Sequence, residues 1–346
     1  GDHRDLHSFP YTTLFRSDMA VNGGGIIKVQ NNSMQIGNNG TVENAGDLNI
    51  DHSYINNGIS TGFSNNTGVF TIGGDWVNNN QFIADNSTVH LYNSDKLITG
   101  TAITDFNTLI LTGGSKLMTI DASAVVLDLG TDHLLTGENI MLVNNPDPLA
   151  LIYSTGYVSS RGDGHLQRKT NSTSVYSFPL GTSTGDFRLR PLDFTPKDNG
   201  DNIFGARLAN NDATIDGYDL EEKSDLVGNL NSLYYHHIYQ NSGISPVDIR
   251  FYYTPSDDGT FQTIGNWNSQ WSTLDNVLNG GSNGSFESLV LSNFDDFSDR
   301  PFILANENDF IYIPNTFTPN NDGKNDLLTI SYDEEKLIKF SFFVHD

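Results

Sequence analysis

From residue 18 to about 150 the apolar positions come in short runs rather than long blocks. "TVENAGDLNI" (41–50), "GVFTIGGDWV" (68–77), "STVHLYN" (87–93), "NTLILTGG" (107–114) and "SAVVLDLG" (123–130) carry apolar side chains at roughly every second position. A period of two predicts strands with one face buried. Between the runs stand polar corners: "NNG" at Asn38–Gly40 and again at Asn56–Gly58, and "NNN" at Asn78–Asn80. Their spacing of roughly 20 residues is the length of one coil of a β-solenoid. Glycine and asparagine tolerate the left-handed backbone of tight corners. Asparagine side chains stacked on successive coils can also hydrogen-bond along the stacking axis, as ladders do in other stacked β structures. One coil cannot cover its own apolar positions, so its neighbours must. An antiparallel sandwich with Asn-Gly hairpins is the alternative; the even spacing favours the solenoid.

"NNPDPLALIYS" interrupts the repeat, and Pro146 and Pro148 place a boundary near 145–155. Beyond it, residues 151–305 read as a β-sandwich. In "PVDIRFYYTP", Ile249, Phe251 and Tyr253 share one face of a strand. The acidic stretch at 212–236 reads as a long loop or the one short helix. The fold class expected is therefore all-β: a β-solenoid-like stalk over 18–150, a β-sandwich-like domain over 151–305, and a partial C-terminal β-sandwich over 306–346.

Composition narrows the function. The 346 residues suffice for two or three domains with a real core. Lys and Arg number 18 against 42 Asp and Glu, a net charge of −24. Such a surface repels polyanions, which argues against nucleic acid or an anionic membrane as partner. The absence of cysteine excludes disulfides, thiolate metal sites and a Cys nucleophile. No apolar run approaches the roughly 18 residues of a membrane-spanning helix.

The chemistry is densest in "IYIPNTFTPNNDGKND" (311–326). A strand-like run meets a proline, a short step meets a second, and then carboxylates and amides crowd one turn. Asn320, Asp322, Asn325 and Asp326 offer hard oxygens, and Gly323 allows a sharp bend. Oxygen ligands at this spacing suit calcium, although no Glu closes a twelve-residue EF-hand loop. Asx hydrogen bonds capping the turn are the plainer alternative. The stretch resembles the start of the gliding-motility-associated C-terminal domain of exported bacterial proteins. Pro314, Asn315, Phe317, Thr318, Pro319, Asn320, Asp322, Gly323, Asn325 and Asp326 fit its pattern. The resemblance covers about a tenth of the chain. It implies a small β-sandwich that acts as the sorting signal for the type IX secretion machinery, and so an extracellular or outer-membrane cell-surface location. The family's second half, with an Asn-Arg-Trp-Gly strand, is expected after Phe342; "FFVHD" departs from it. "GDWVNNNQFIADNSTVHLYNSDKLITG" (74–100) resembles the stalk repeats of large bacterial surface adhesins.

The opening "GDHRDLHSFPYTTLFRS" (1–17) resembles a common short-read sequencing adapter translated in two successive frames. The expectation is that residues 1–17 are foreign to the protein, that its natural N-terminus lies further upstream, and that the C-terminal domain continues past Asp346.

Other chemistry reads as structural. G-x-S-x-G occurs at Gly58–Gly62 and Gly181–Gly185, but neither match is followed by the helix a nucleophile elbow needs. Arg161–Asp163 spells "RGD" and reads as a chain-reversing turn rather than an adhesive loop. His236 and His237 are adjacent, so on a strand they face opposite ways and cannot chelate together. The pairs Asp257-Asp258, Asp295-Asp296 and Glu221-Glu222 read as solvated charge, with a glycosidase or lyase pair as the alternative. Trp76, Trp267 and Trp271 read as core, with a sugar-stacking platform as the alternative. The function expected is a non-enzymatic, adhesin-like protein in contact with extracellular glycan or matrix. The alternative is a module of an exported polysaccharide-degrading enzyme.

Overall fold

In a computed structural model the described residues are 13–15, 19–62, 68–182, 184–298, 301–308, 311–312 and 331–332. The sorting motif, with Asn320, Asp322, Asn325 and Asp326, lies outside them, as does most of the 1–17 segment.

The short alternating runs stack as a three-faced parallel solenoid. One face is an 8-stranded parallel ladder that starts at Thr13–Phe15 and Met34–Ile36 and ends at Val158–Ser160. The second is a 4-stranded ladder from Met19–Val21 to Phe82–Ile83. The third begins at Ile26–Val29 and is extended coil by coil. Register keeps like over like. Met34, Tyr54, Trp76 and Ile98 stack in one inward column, and Leu48, Phe70, Val89, Leu109 and Leu127 in another. All of these are buried. The rings form an aromatic spine: Tyr54 stacks on Trp76 with centroids 4.8 Å apart, and Phe82 meets Trp76 edge-on at 4.9 Å.

The corner asparagines form the expected ladder. Asn56 Nδ2 donates to Asn78 Oδ1 at 2.9 Å. One step outward, Asn79 Nδ2 donates to Asn57 Oδ1 at 2.8 Å. Asn78 Nδ2 then reaches the carbonyls of Ala102 and Ile103 at 3.3 and 3.2 Å. The ladder stops at Gly100, which pairs with Asn78 in register. Its φ is +132°, and a Cβ there would stand 1.9 Å from the Asn78 carbonyl oxygen, so only glycine fits.

Parallel stacking continues past residue 150. His165–Thr170 pairs in parallel with Ile140–Val143 on one side. On its other side it pairs antiparallel with Asn202–Ala209. That strand ends the solenoid and begins the sandwich, so the third face of the stalk and one layer of the sandwich are a single 15-stranded sheet. The sheet continues through Tyr235–Ser242, Pro301–Glu307, Thr263–Trp267 and Trp271–Thr273. A 5-stranded antiparallel sheet forms the facing layer: Tyr176–Phe178, Leu192–Pro196, Val247–Tyr253, Phe286–Phe294 and Val277–Asn283. Val247, Ile249, Phe251 and Tyr253 alternate inward as their spacing predicts, and Phe194 meets Phe204 across the layers with centroids 5.4 Å apart. The acidic stretch at 212–236 holds one 3-10 turn, Ala213–Asp216, and the strand Val227–Leu230.

Candidate functional site: a pocket on the outer face of the shared sheet

Strand alternation gives the shared sheet two different faces. Phe204, Ala206, Leu208, His236 and Ile238 turn into the sandwich. Arg207, Tyr235, His237 and Tyr239 turn outward. The chain leaving Ala209 crosses back over that outer face. Asp212 caps the 3-10 turn by accepting from Thr214 N at 2.8 Å, and Gly217 closes it at φ +91°. The crossing segment lays Tyr218 against Trp267 and sets Asp216 beside Tyr235. Beneath it Ala209, Ala213, Tyr235, Trp271 and Ile303 form a small separate core.

Beside this core an open pocket of about 390 Å³ remains. Its floor is a row of side chains from three adjacent strands. Leu166 pairs with Ala206, which puts His165 opposite Arg207; Arg207 pairs in turn with His237. In the next row Gly205 leaves space for the His165 ring. A Cβ at Gly205 would come within 2.7 Å of His165 Cδ2 and 3.0 Å of Asn241 Oδ1. Tyr218, Tyr235 and Asp216 form one wall, Tyr239 stacks near His165 with centroids 4.6 Å apart, and the Gly162–Asp163 corner stands at the mouth.

The hydrogen bonds fix some groups and leave others open. His165 Nδ1 donates to the Asp163 carbonyl at 2.7 Å, so its Nε2 accepts from Gln167 Nε2 at 2.9 Å. Asp216 accepts from the Tyr235 hydroxyl and from Asn211 Nδ2. Burial alone would raise the Asp216 carboxyl, but these bonds and the nearby Arg207 charge hold it below the usual carboxylate range. Burial, reinforced by Arg207, pushes His237 down to about 3, and burial also lowers His165, so both rings are neutral near pH 7. Arg207 is 9% exposed and His237 7%, yet Arg207 Nε and His237 Nε2 find no hydrogen-bond partner. Buried polar atoms are nearly always paired, so two orphans on residues of one pocket are unusual; both have almost no accessible surface and lie beneath the floor rather than open to the cavity.

The residues singled out in the sequence fall as follows. His236 and His237 do face opposite ways: His236 Nε2 donates to the Arg190 carbonyl inside the sandwich at 3.0 Å, while His237 enters the pocket. Trp76 and Trp271 are fully buried, and Trp76 Nε1 donates to Thr104 Oγ1 at 3.1 Å. Trp267 packs on Trp271 with centroids 5.4 Å apart. Arg161–Asp163 forms an exposed corner closed by Gly164 N donating to the Arg161 carbonyl at 3.0 Å, with Gly162 at φ +53°. Ser60 of the first G-x-S-x-G lies inside the solenoid, bonded to the Tyr54 hydroxyl, and Ser183 of the second lies outside the described residues. Glu221, Glu222, Asp257, Asp295 and Asp296 are exposed.

Asp258 departs from the solvated-charge expectation. It is buried and clasped by Arg190 through two bonds, Nε to Oδ2 at 2.5 Å and Nη2 to Oδ1 at 2.7 Å. The Tyr234 hydroxyl and the Thr254 amide complete its shell at 3.2 and 2.8 Å. The one-turn helix Pro255–Asp258 turns its last residue inward, which adjacency to Asp257 does not reveal.

The pocket residues Arg207, Asp216, Tyr218, Tyr235 and Tyr239 were not singled out in the sequence. A signal for some of them was present in "YYHHIYQN": every second residue from Tyr235 to Asn241 is aromatic or polar. Among the described residues no cluster of three or more His, Asp or Glu is gathered to hold a metal ion. Comparison with protein-family models, with curated proteins and with solved structures finds no match to this chain.

Proposed function

We propose that this chain is the stalk-and-head portion of an exported, non-enzymatic binding protein displayed at the cell surface or released from it. The observation that carries the reading is the single sheet that runs from the solenoid into the sandwich. A stack of hydrogen-bonded coils is a stiff spacer, and here the sandwich continues its last strand with no linker between them. Such a construction holds a binding face at a set distance and orientation. The acidic surface and the sorting-type motif at 314–326 agree with export through the type IX machinery to an extracellular glycan or matrix. Calcium held by Asn320, Asp322, Asn325 and Asp326 would stiffen the sorting turn. Replacing Asp322 and Asp326 by Asn should then abolish any rise in Tm on adding calcium.

Antibodies raised against residues 19–308 test the location. They should label intact cells of the source organism or its culture medium; antigen found only after lysis would overturn the reading. Incubation with a polysaccharide panel tests the chemistry. Release of reducing ends would replace this reading with a module of a polysaccharide-degrading enzyme.

A further inference from the structure

We infer that the pocket built on His165, Arg207 and His237 binds an acidic sugar, a uronic acid unit whose carboxylate is received by Arg207. The inference deepens the display function and rests on it only for the source of the ligand. Arg207 is a guanidinium nine-tenths buried with an orphaned Nε. A buried cation is costly without a counter-charge and full hydrogen bonding. Planar carboxylates match the guanidinium fork best. Asp216 supplies part of the counter-charge to Arg207, but its Oδ2 is engaged by Tyr235 and Asn211 and Arg207 Nε stays unpaired. His237, neutral near pH 7, lies in the floor beside Arg207 and adds no competing charge.

The rest of the pocket suits a hydroxylated ring rather than a bare anion. Its volume of about 390 Å³ lies within the roughly 300–1,000 Å³ of small-ligand sites. Tyr218 and Tyr239 give the lining aromatic surface, which suits the C–H side of a pyranose. A carboxylate has about four acceptor positions, and Asp216 spends two on its neighbours, which leaves capacity for sugar hydroxyls. Asn241, exposed at the mouth, supplies an amide. Gly205 keeps the floor open. The strongly acidic chain would repel a long polyanion from most of its surface, so the inference concerns one terminal or accessible uronate unit.

Calorimetry on the full chain, titrated with glucuronate and galacturonate monomers and short oligomers, tests this. The expected result is binding of at least one of them, at least tenfold tighter than glucose, galactose, acetate or sulfate. Arg207→Met should weaken that binding at least tenfold, and Asn241→Ala, at the exposed mouth and safe for folding, severalfold with Tm unchanged. Binding of neutral sugars as tight as uronates, or of sulfate as tight as uronates, would overturn the assignment. So would a folded Arg207→Met that binds normally, or no uronate binding at all. Surface labelling can fail while calorimetry succeeds, and the reverse, so the location and the ligand are judged separately.

Discussion

Two buried titratable residues govern stability in opposite manners. Asp258 is held by Arg190, Tyr234 and the Thr254 amide, and Arg188 approaches it at 3.6 Å. Asp258→Ala would leave the Arg190 charge, inside the sandwich edge, with only the longer 3.8 Å approach of Asp257. Removing one partner of a buried pair costs about 3–5 kcal/mol, so the urea midpoint should drop accordingly; a loss under about 1 kcal/mol would show that Arg190 swings out to water. His236 acts through its neutral form. Burial pushes it from 6.5 down to about 4 in the folded chain. Between those values the unfolded chain binds a proton that the folded chain refuses. Stability therefore falls as pH drops from about 6.5 toward about 4, by on the order of 3 kcal/mol at the lower limit. His236→Gln should reduce the slope of Tm against pH over that window, measured by circular dichroism, with the remaining slope coming from His237 and His165. An unchanged slope would place the acid sensitivity elsewhere.

At the scale of elements, the solenoid depends on its corners as much as on its apolar columns. Asn78 is fully buried, accepts from Asn56 and donates to two carbonyls of the next coil. Asn78→Ala would leave those groups unpaired, at about 1–3 kcal/mol for a buried orphan. Gly100→Ala should do at least as much damage, because its Cβ would overlap the Asn78 carbonyl at a φ of +132°. Both are read as changes in urea midpoint, and a neutral Gly100→Ala would mean that the corner relaxes freely. These corners were legible in the sequence because the repeat of "NNG" and "NNN" is local and periodic, and the inward columns because alternation is local too. Apart from the alternation in "YYHHIYQN", the pocket was not legible. His165 meets Arg207 and His237 only through antiparallel pairing across strands, from 165 to 207 to 237, and Asp216 reaches Tyr235 only because the chain folds back over the sheet. Nothing in local spacing encodes either contact. Asp258 was misread for the same reason: its partner Arg190 lies on a distant strand.

For the molecule as a whole, the shared sheet decides how stalk and head unfold. In a repeat array each coil touches only its neighbours, and cooperativity fades with distance. A sandwich joined by a loose linker would melt independently of such an array. Here His165–Thr170 is hydrogen-bonded to both, and the buried apolar cluster runs without a break from Val29 to Leu304. Losing the strand exposes the end of the solenoid and the edge of the sandwich together, so the two should share one main transition. The chain carries its own reporters, since it has 3 tryptophans. Trp76 lies in the stalk core and Trp267 and Trp271 in the head. Labelling with 5-fluorotryptophan lets fluorine NMR follow all of them in one sample through a urea titration. Coincident midpoints are expected. A Trp76 signal that melts well before the other two would show that the stalk coils fray on their own, and that the shared strand joins the halves in space without coupling them in energy.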